Sequence, residues 1–182
     1  MSNALIATAV SEPEIVLASG NPGKLREIQT LLAPLGLNVV LQSAFKTPEA
    51  DETGLSFVEN AILKARNAIT HCDLPAIADD SGIEVDALDG APGVRSARFA
   101  GPDATDEENL NKLLTDMVDV AETERGARFH CVMVFLESVD DPTPIICHGV
   151  WEGRLLFAPR GDNGFGYDPI FYVPSHNCSS AE

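Results

Sequence analysis

Basic residues are scarce in this sequence. Lys and Arg number 12 against 28 Asp and Glu in 182 residues, a formal charge of −16. A sequence-independent nucleic-acid binder neutralises phosphates with Lys and Arg, and so does a protein lying on anionic lipid. Both classes are therefore disfavoured. An anion bound here needs a local basic group, a helix N-terminus or a metal ion. Long hydrophobic runs are missing as well, and none approaches the ~20 residues that a membrane span needs. The opening residues, MSNALIATAVSEPE, have no basic segment ahead of their short apolar stretch, so no cleaved signal peptide is expected. Four cysteines, Cys72, Cys131, Cys147 and Cys178, form no C-x-x-C pair and are not spaced for zinc. They read as reduced structural cysteines of a cytoplasmic protein. The phosphate-binding G-x-x-x-x-G-K-S/T, the dinucleotide fingerprint G-x-G-x-x-G and the nucleophile elbow G-x-S-x-G are also absent.

What is present is an ordinary globular composition, 45% hydrophobic. Residues 1–13 read as a loose leader and residues 14–182 as a single α/β domain. Glu14–Ala18 is expected to be a short buried strand. Ser19–Gly23 packs Gly, Pro and Gly into a turn. From Lys24 onward Leu25, Ile28, Leu31, Leu32 and Leu35 fall on one helical face, stopped by Gly36. Leu37–Gln42 is a second strand, and strand–turn–helix–strand argues for an α/β protein. Ser56-Phe57-Val58-Glu59 and Thr105-Asp106-Glu107-Glu108 are capping boxes ahead of apolar periodic runs. Between them a short strand, Pro75–Ala78, is expected to end at Asp79-Asp80-Ser81-Gly82. Ala127–Leu136 and Ile145–Trp151 read as a hairpin around a Pro-rich turn, and Pro169–Val173 as a last strand. The expected fold is thus a mixed central sheet with flanking helices, more strand-rich in its last third.

Three groups of residues carry the main candidate chemistry. Ser19, Gly20, Asn21, Pro22, Gly23 and Lys24 lie between a strand and a helix N-terminus, where amide N–H groups, the helix dipole and the lysine favour phosphate. The competing reading is an ordinary strand-to-helix turn. Asp51-Glu52 and Asp79-Asp80 are carboxylates in loops and at an expected strand end, with no His or Cys nearby. That donor set favours Mg²⁺ or Mn²⁺, against the plainer reading of solvated acidic loops. Asp162-Asn163-Gly164-Phe165-Gly166-Tyr167-Asp168-Pro169 is a glycine-rich loop holding two aromatic rings, which can stack on a nucleobase or simply form a tight turn. Arg95 and Arg98 lie in another loop, positioned to meet phosphates or carboxylates. His130 and His148 read as ordinary strand histidines. Together the segments point to metal-assisted chemistry on a nucleotide.

Four stretches, in order, resemble the inosine/xanthosine triphosphate pyrophosphatases of the HAM1-like family. SGNPGK is similar to the family's S/T-G-N-x-x-K turn, and ETGLSFVENAILKA (Glu52–Ala65) to its metal loop and following helix. ADDSGIEVDALDGAPGVRSARFAG (Ala78–Gly101) resembles the family's most distinctive stretch, and GFGYDPIF (Gly164–Phe171) its base-pocket loop. The resemblance implies an elongated α/β fold with two lobes around a nucleotide cleft, and a cytoplasmic homodimer. It implies hydrolysis of ITP, dITP and XTP to the monophosphate and pyrophosphate with Mg²⁺, Mn²⁺ being a possible substitute. It places Asp80 at the catalytic position, Glu52 and Asp80 on the metal, and Ser81 beside the substrate. Ser19 to Lys24 then hold the triphosphate, and Phe165, Gly166, Tyr167 and Asp168 the nucleoside. Alternatives are a Maf-like pyrophosphatase of other base specificity and a nucleotide-binding protein without turnover. The family continues past the region of Ala181-Glu182 with a helix, a lysine and a terminal Ser-His-Arg-Gly, so the C-terminal end of this chain reads as truncated.

Overall fold

The computed structural model describes residues 14–182. The expected leader, 1–13, lies outside the described residues. Strands β1 (Glu14–Leu17), β2 (Asn38–Leu41), β3 (Ala76–Val85), β4 (Gly126–Leu136), β5 (Ile145–Leu155), β6 (Phe171–Val173) and β7 (Cys178–Ser179) follow the sheet order β2-β1-β3-β4-β5-β6-β7. Helices α1 (Pro22–Leu32), α2 (Phe57–Cys72) and α3 (Asp106–Asp116) lie between them in the chain. Pairing is parallel where helices intervene, β1 with β2 and β3, and antiparallel for β5 with β6 and β6 with β7. The sheet is therefore mixed, as expected for strands joined by both crossovers and tight turns. The chain divides into two compact units, with α2, β3, β4 and β5 each contributing residues to both.

Among the described residues, one unit comprises residues 14–51, Ile62–Ala78 and Phe135–Ile145. Its core holds Val16, Leu17, Val39, Ala65, Ala68 and Ala76. Helix α1 starts two residues earlier than its apolar pattern indicates. Pro22 occupies the first turn, where a missing N–H costs nothing, and Asn21 caps the helix. The apolar stripe of α1 does not form a buried face. No residue of α1 is buried, and Leu31 and Leu35 are 73% and 70% exposed. The helix is fastened to β2 through a polar clasp instead: Gln29 donates Nε2 to the Leu37 carbonyl at 3.2 Å and accepts the Val39 N–H at 2.7 Å. Gly36, at φ 69°, closes the 3-10 turn that follows α1.

The other unit comprises Glu52–Ala61, Asp79–Val134 and Ile146–Glu182. Ile83, Val85, Leu113, Leu155, Ile170 and Phe171 are central to its core. Both capping boxes form. Thr105 accepts the Glu108 N–H while Glu108 takes the Thr105 N–H at 2.7 Å. Glu59 accepts the Ser56 hydroxyl at 2.7 Å and the Leu55 N–H at 2.9 Å. Arg125, 1% exposed, donates to the carbonyl oxygens of Met117, Val120, Leu155 and Leu156, tying the end of α3 to the end of β5.

Two expected strand limits are corrected. β3 does not stop at Ala78 but runs on to Val85, a strand of 10 residues. Gly82 is why it can, because a Cβ there would press on the Gly93 carbonyl and the Ser96 hydroxyl. That hydroxyl accepts the Ile83 N–H at 2.9 Å. Pro169 and Ile170 are not strand residues. Asp168–Ile170 is a 3-10 turn and β6 begins at Phe171, since Pro169 has no N–H to donate to a ladder.

Candidate active site

The carboxylates come first. Asp79 and Asp80 lie inside β3 rather than at its end, 8% and 7% exposed. Successive strand residues face opposite sides of a sheet, so this pair divides between two faces instead of converging on one cation. Asp80 accepts a hydrogen bond from Asn60 Nδ2 at 3.1 Å. Ser81, the next residue, is exposed.

Glu52 lies in the loop that precedes α2. Arg98 donates Nη1 to Glu52 Oε2 at 2.9 Å and Nη2 to the Glu52 carbonyl at 3.4 Å. Two residues on, the Gly54 N–H donates to Asn60 Oδ1 at 2.8 Å. A side chain at position 54 would collide with that carboxamide and with the Glu59 Cβ, so the loop needs glycine there. Asn60 thus links the loop carrying Glu52 to the carboxylate of Asp80. Arg98 meets a carboxylate, one of the two partners expected of it, whereas Asn60 does not stand out chemically in the sequence as a partner of these acids. The signal for Asn60 is a polar residue three positions after Phe57, on the stripe that buries Phe57 and Ala61.

The glycine-rich loop separates its two rings. Phe165 is 71% exposed. Tyr167 is core, 5% exposed, and donates its hydroxyl to the Ser96 carbonyl at 2.7 Å. Burial, with the Asp106 charge adding to it, pushes its phenol above the ordinary value, so it remains a neutral donor. Gly164 and Gly166 adopt φ of 76° and 55°, the left-handed conformation that makes the loop possible. Asp168 accepts the Phe165 N–H at 3.0 Å and the Ser180 hydroxyl at 2.9 Å. Asp106, at the first position of α3, accepts the Gly166 N–H at 3.0 Å. Beside this loop is an open pocket of about 390 Å³, lined by Asp106, Glu107, Asn111, Gly164 and Phe165 among others.

The Ser19–Lys24 turn belongs to the other unit. Asn21 Oδ1 accepts the Gly23 N–H at 2.7 Å and the Lys24 N–H at 3.4 Å, and Ser19 Oγ accepts the Asn21 N–H at 3.1 Å. Two amides expected to face an anion are thus already capped by the turn's own asparagine. Gly20, Asn21 and Pro22 are exposed.

The strand histidines touch each other. His130 Nδ1 and His148 Nε2 are 2.9 Å apart, and His130 Nε2 is 3.1 Å from Glu84 Oε2. Among the described residues no three His, Cys, Asp or Glu side chains form a ready metal cage.

The chain is similar to several known proteins. A dITP/XTP pyrophosphatase of Vibrio cholerae is 62% identical over 169 residues, which cover 93% of this chain and 84% of that protein. One from Shigella flexneri is 56% identical, with 93% and 86% covered. Among solved structures, a HAM1 protein from Coxiella burnetii aligns with a TM-score of 0.89 at 54% identity, covering 93% of this chain and 86% of that one. The Ham1 protein of Staphylococcus aureus aligns with a TM-score of 0.83 at 40% identity, covering 92% and 85%. The model of the Ham1 family matches residues 15–182, from β1 through the buried carboxylates of β3 to the chain's last residue, and the protein belongs to that family.

Proposed function

We propose that this protein hydrolyses non-canonical purine nucleoside triphosphates, dITP, ITP and XTP, to the monophosphate and pyrophosphate. The observation that carries the reading is the buried carboxylate of Asp80, held by Asn60, in a chain 62% identical to a dITP/XTP pyrophosphatase. A carboxylate withdrawn from bulk water and oriented by a hydrogen bond suits a group that aligns and deprotonates an attacking water.

The donors on hand fit a hard divalent cation. Asp80 and Glu52 offer carboxylate oxygens, hard donors that suit Mg²⁺. That ion is commonly held by one or two carboxylates, with water and substrate phosphates completing its shell. When bound, Mg²⁺ would neutralise charge on the phosphate oxygens. The protein's own groups do the rest. Asp80 takes the proton of the water that attacks the α-phosphorus. The Ser19–Lys24 turn, shaped by Asn21, offers the Lys24 ammonium to the departing pyrophosphate. Phe165 presents an exposed ring to the base.

We further infer that residues 14–182 act as one catalytic domain of a cytoplasmic homodimer. In support, β5 leaves Ile145, Ile146, Val150 and Trp151 exposed, apolar surface of the kind that a partner covers. Among the described residues no helix is long and apolar enough to cross a membrane.

A substrate panel tests the assignment. Hypoxanthine and xanthine present a 6-oxo acceptor and an N1–H donor, where adenine presents an amino donor and a bare nitrogen. A pocket built for the oxo edge rejects adenine by ~10⁴ or more. ITP and XTP are expected to exceed ATP by such a factor in kcat/KM. Equal rates for ATP and ITP would overturn the substrate assignment.

A further inference from the structure

We propose that Asn60 is a positioning residue of the hydrolytic step, one that sets Asp80 and the Glu52 loop against each other. The inference rests on the function proposed above. Asn60 is wholly buried, 0% exposed, on the first turn of α2. Its carboxamide uses both ends: Nδ2 donates to Asp80 Oδ2 at 3.1 Å, and Oδ1 accepts the Gly54 N–H at 2.8 Å.

The residue type follows from that double duty. A side-chain amide offers a neutral donor to a carboxylate at one end and an acceptor to a backbone N–H at the other. Aspartate would keep the acceptor and lose the donor, and would set a second negative charge against Asp80. Leucine would leave a buried carboxylate and a backbone N–H without this partner. Gly54 is part of the device, because any side chain there would overlap the Asn60 carboxamide.

The loop is fixed on either side of this contact as well. Arg98 grips the side chain and carbonyl of Glu52, and Glu59 accepts the Leu55 N–H. Those bonds hold the loop but do not reach Asp80. Asn60 is bonded both to Asp80 and to the Gly54 N–H, so one carboxamide ties the Glu52 loop to the Asp80 carboxylate. Reacting groups misplaced by about 1 Å lose on the order of 100-fold in rate, and a group that only positions is felt in that way.

The test compares the whole chain with Asn60→Asp and Asn60→Ser. ITP turnover is measured in Mg²⁺, binding of the non-hydrolysable α,β-imido-ITP with Mg²⁺ by calorimetry, and folding by thermal unfolding. The expected result is a kcat lowered about 100-fold in folded variants, with analogue affinity held within about threefold. Asn60→Ser adds no charge and carries the test if the aspartate variant does not fold. A folded variant with wild-type kcat overturns the inference. So does a loss of rate that matches the loss of folded protein, which is what a purely structural asparagine would produce. An unmodified chain without turnover of any triphosphate takes down the proposed function along with this inference. An active chain with fully active Asn60 variants takes down this inference alone.

Discussion

Tyr167 donates its hydroxyl to the Ser96 carbonyl at 2.7 Å, and that bond holds the ring in the core. Phe165, two residues earlier, is left as the exposed ring. The two aromatics of one motif therefore have different work. Tyr167→Phe should cost about 1–3 kcal/mol, because the Ser96 carbonyl loses its buried partner. A calorimetric melt would show it as a lower Tm, with KM for ITP nearly unchanged. Phe165→Ala should do the reverse, raising KM for ITP about 10-fold through lost stacking while Tm holds.

Hydrolysis should require Mg²⁺ or Mn²⁺ and stop in excess EDTA. Asp80→Asn should lower kcat by at least ~10³ with the fold retained, since its amide cannot accept the water's proton. Glu52→Gln should chiefly raise the Mg²⁺ concentration for half-maximal rate. Both are read by a pyrophosphate assay across a metal titration. Undiminished turnover in EDTA would refute the metal requirement.

Products should be the monophosphate and pyrophosphate. In ¹⁸O-water the label should enter the monophosphate, because attack at the α-phosphorus puts the water oxygen there. Orthophosphate appearing without added pyrophosphatase, or label found in the inorganic product, would move the attack to another phosphorus.

Arg125 should be the most sensitive basic residue for stability. Its buried guanidinium serves four backbone carbonyls and lies over the Phe157 ring, with the centroid 4.3 Å away. Arg125→Met fills similar volume but leaves those carbonyls without this donor, so a loss of at least ~3 kcal/mol is expected in urea unfolding.

Stability should fall on acidification through the two capping glutamates. Hydrogen bonds from Ser56 and Leu55 hold Glu59 below its ordinary value of 4.5, and those from Thr105 do the same for Glu108. A depressed carboxylate contributes stability that is present above 4.5 and lost as pH falls through its lower folded value. Glu108→Gln should make the Tm flatter against pH in that acid range, while changing nothing in the pH response near neutrality.

Local chemistry made much of this protein legible in its sequence. The capping boxes at Ser56 and Thr105 lie where S-x-x-E and T-x-x-E place them, because each bond joins residues three apart. β4 begins one residue from its expected start, since Val132, Val134 and Leu136 alternate toward the core. Non-local closure was not legible. β3 continues past Asp79 and Asp80 because Gly82 admits the Gly93–Ser96 segment, a contact more than ten residues away in the chain. The apolar stripe that opens on α1 follows a helical period, yet Leu31 and Leu35 stay exposed and none of α1 is buried, since period tells which residues share a face and not whether anything covers it.

The candidate site divides in the same way. By itself the sequence determined which chemical groups are available: hard carboxylates, a capped turn with a lysine, a glycine loop with aromatic rings. Only the tertiary structure decided how they are used. It withdrew Tyr167 into the core, set Asp79 and Asp80 on opposite faces of one strand, clasped Glu52 with Arg98, and gave Asp80 to Asn60. Side-chain identity is local information. The partner that orients a buried carboxylate is chosen by packing between segments distant in the chain.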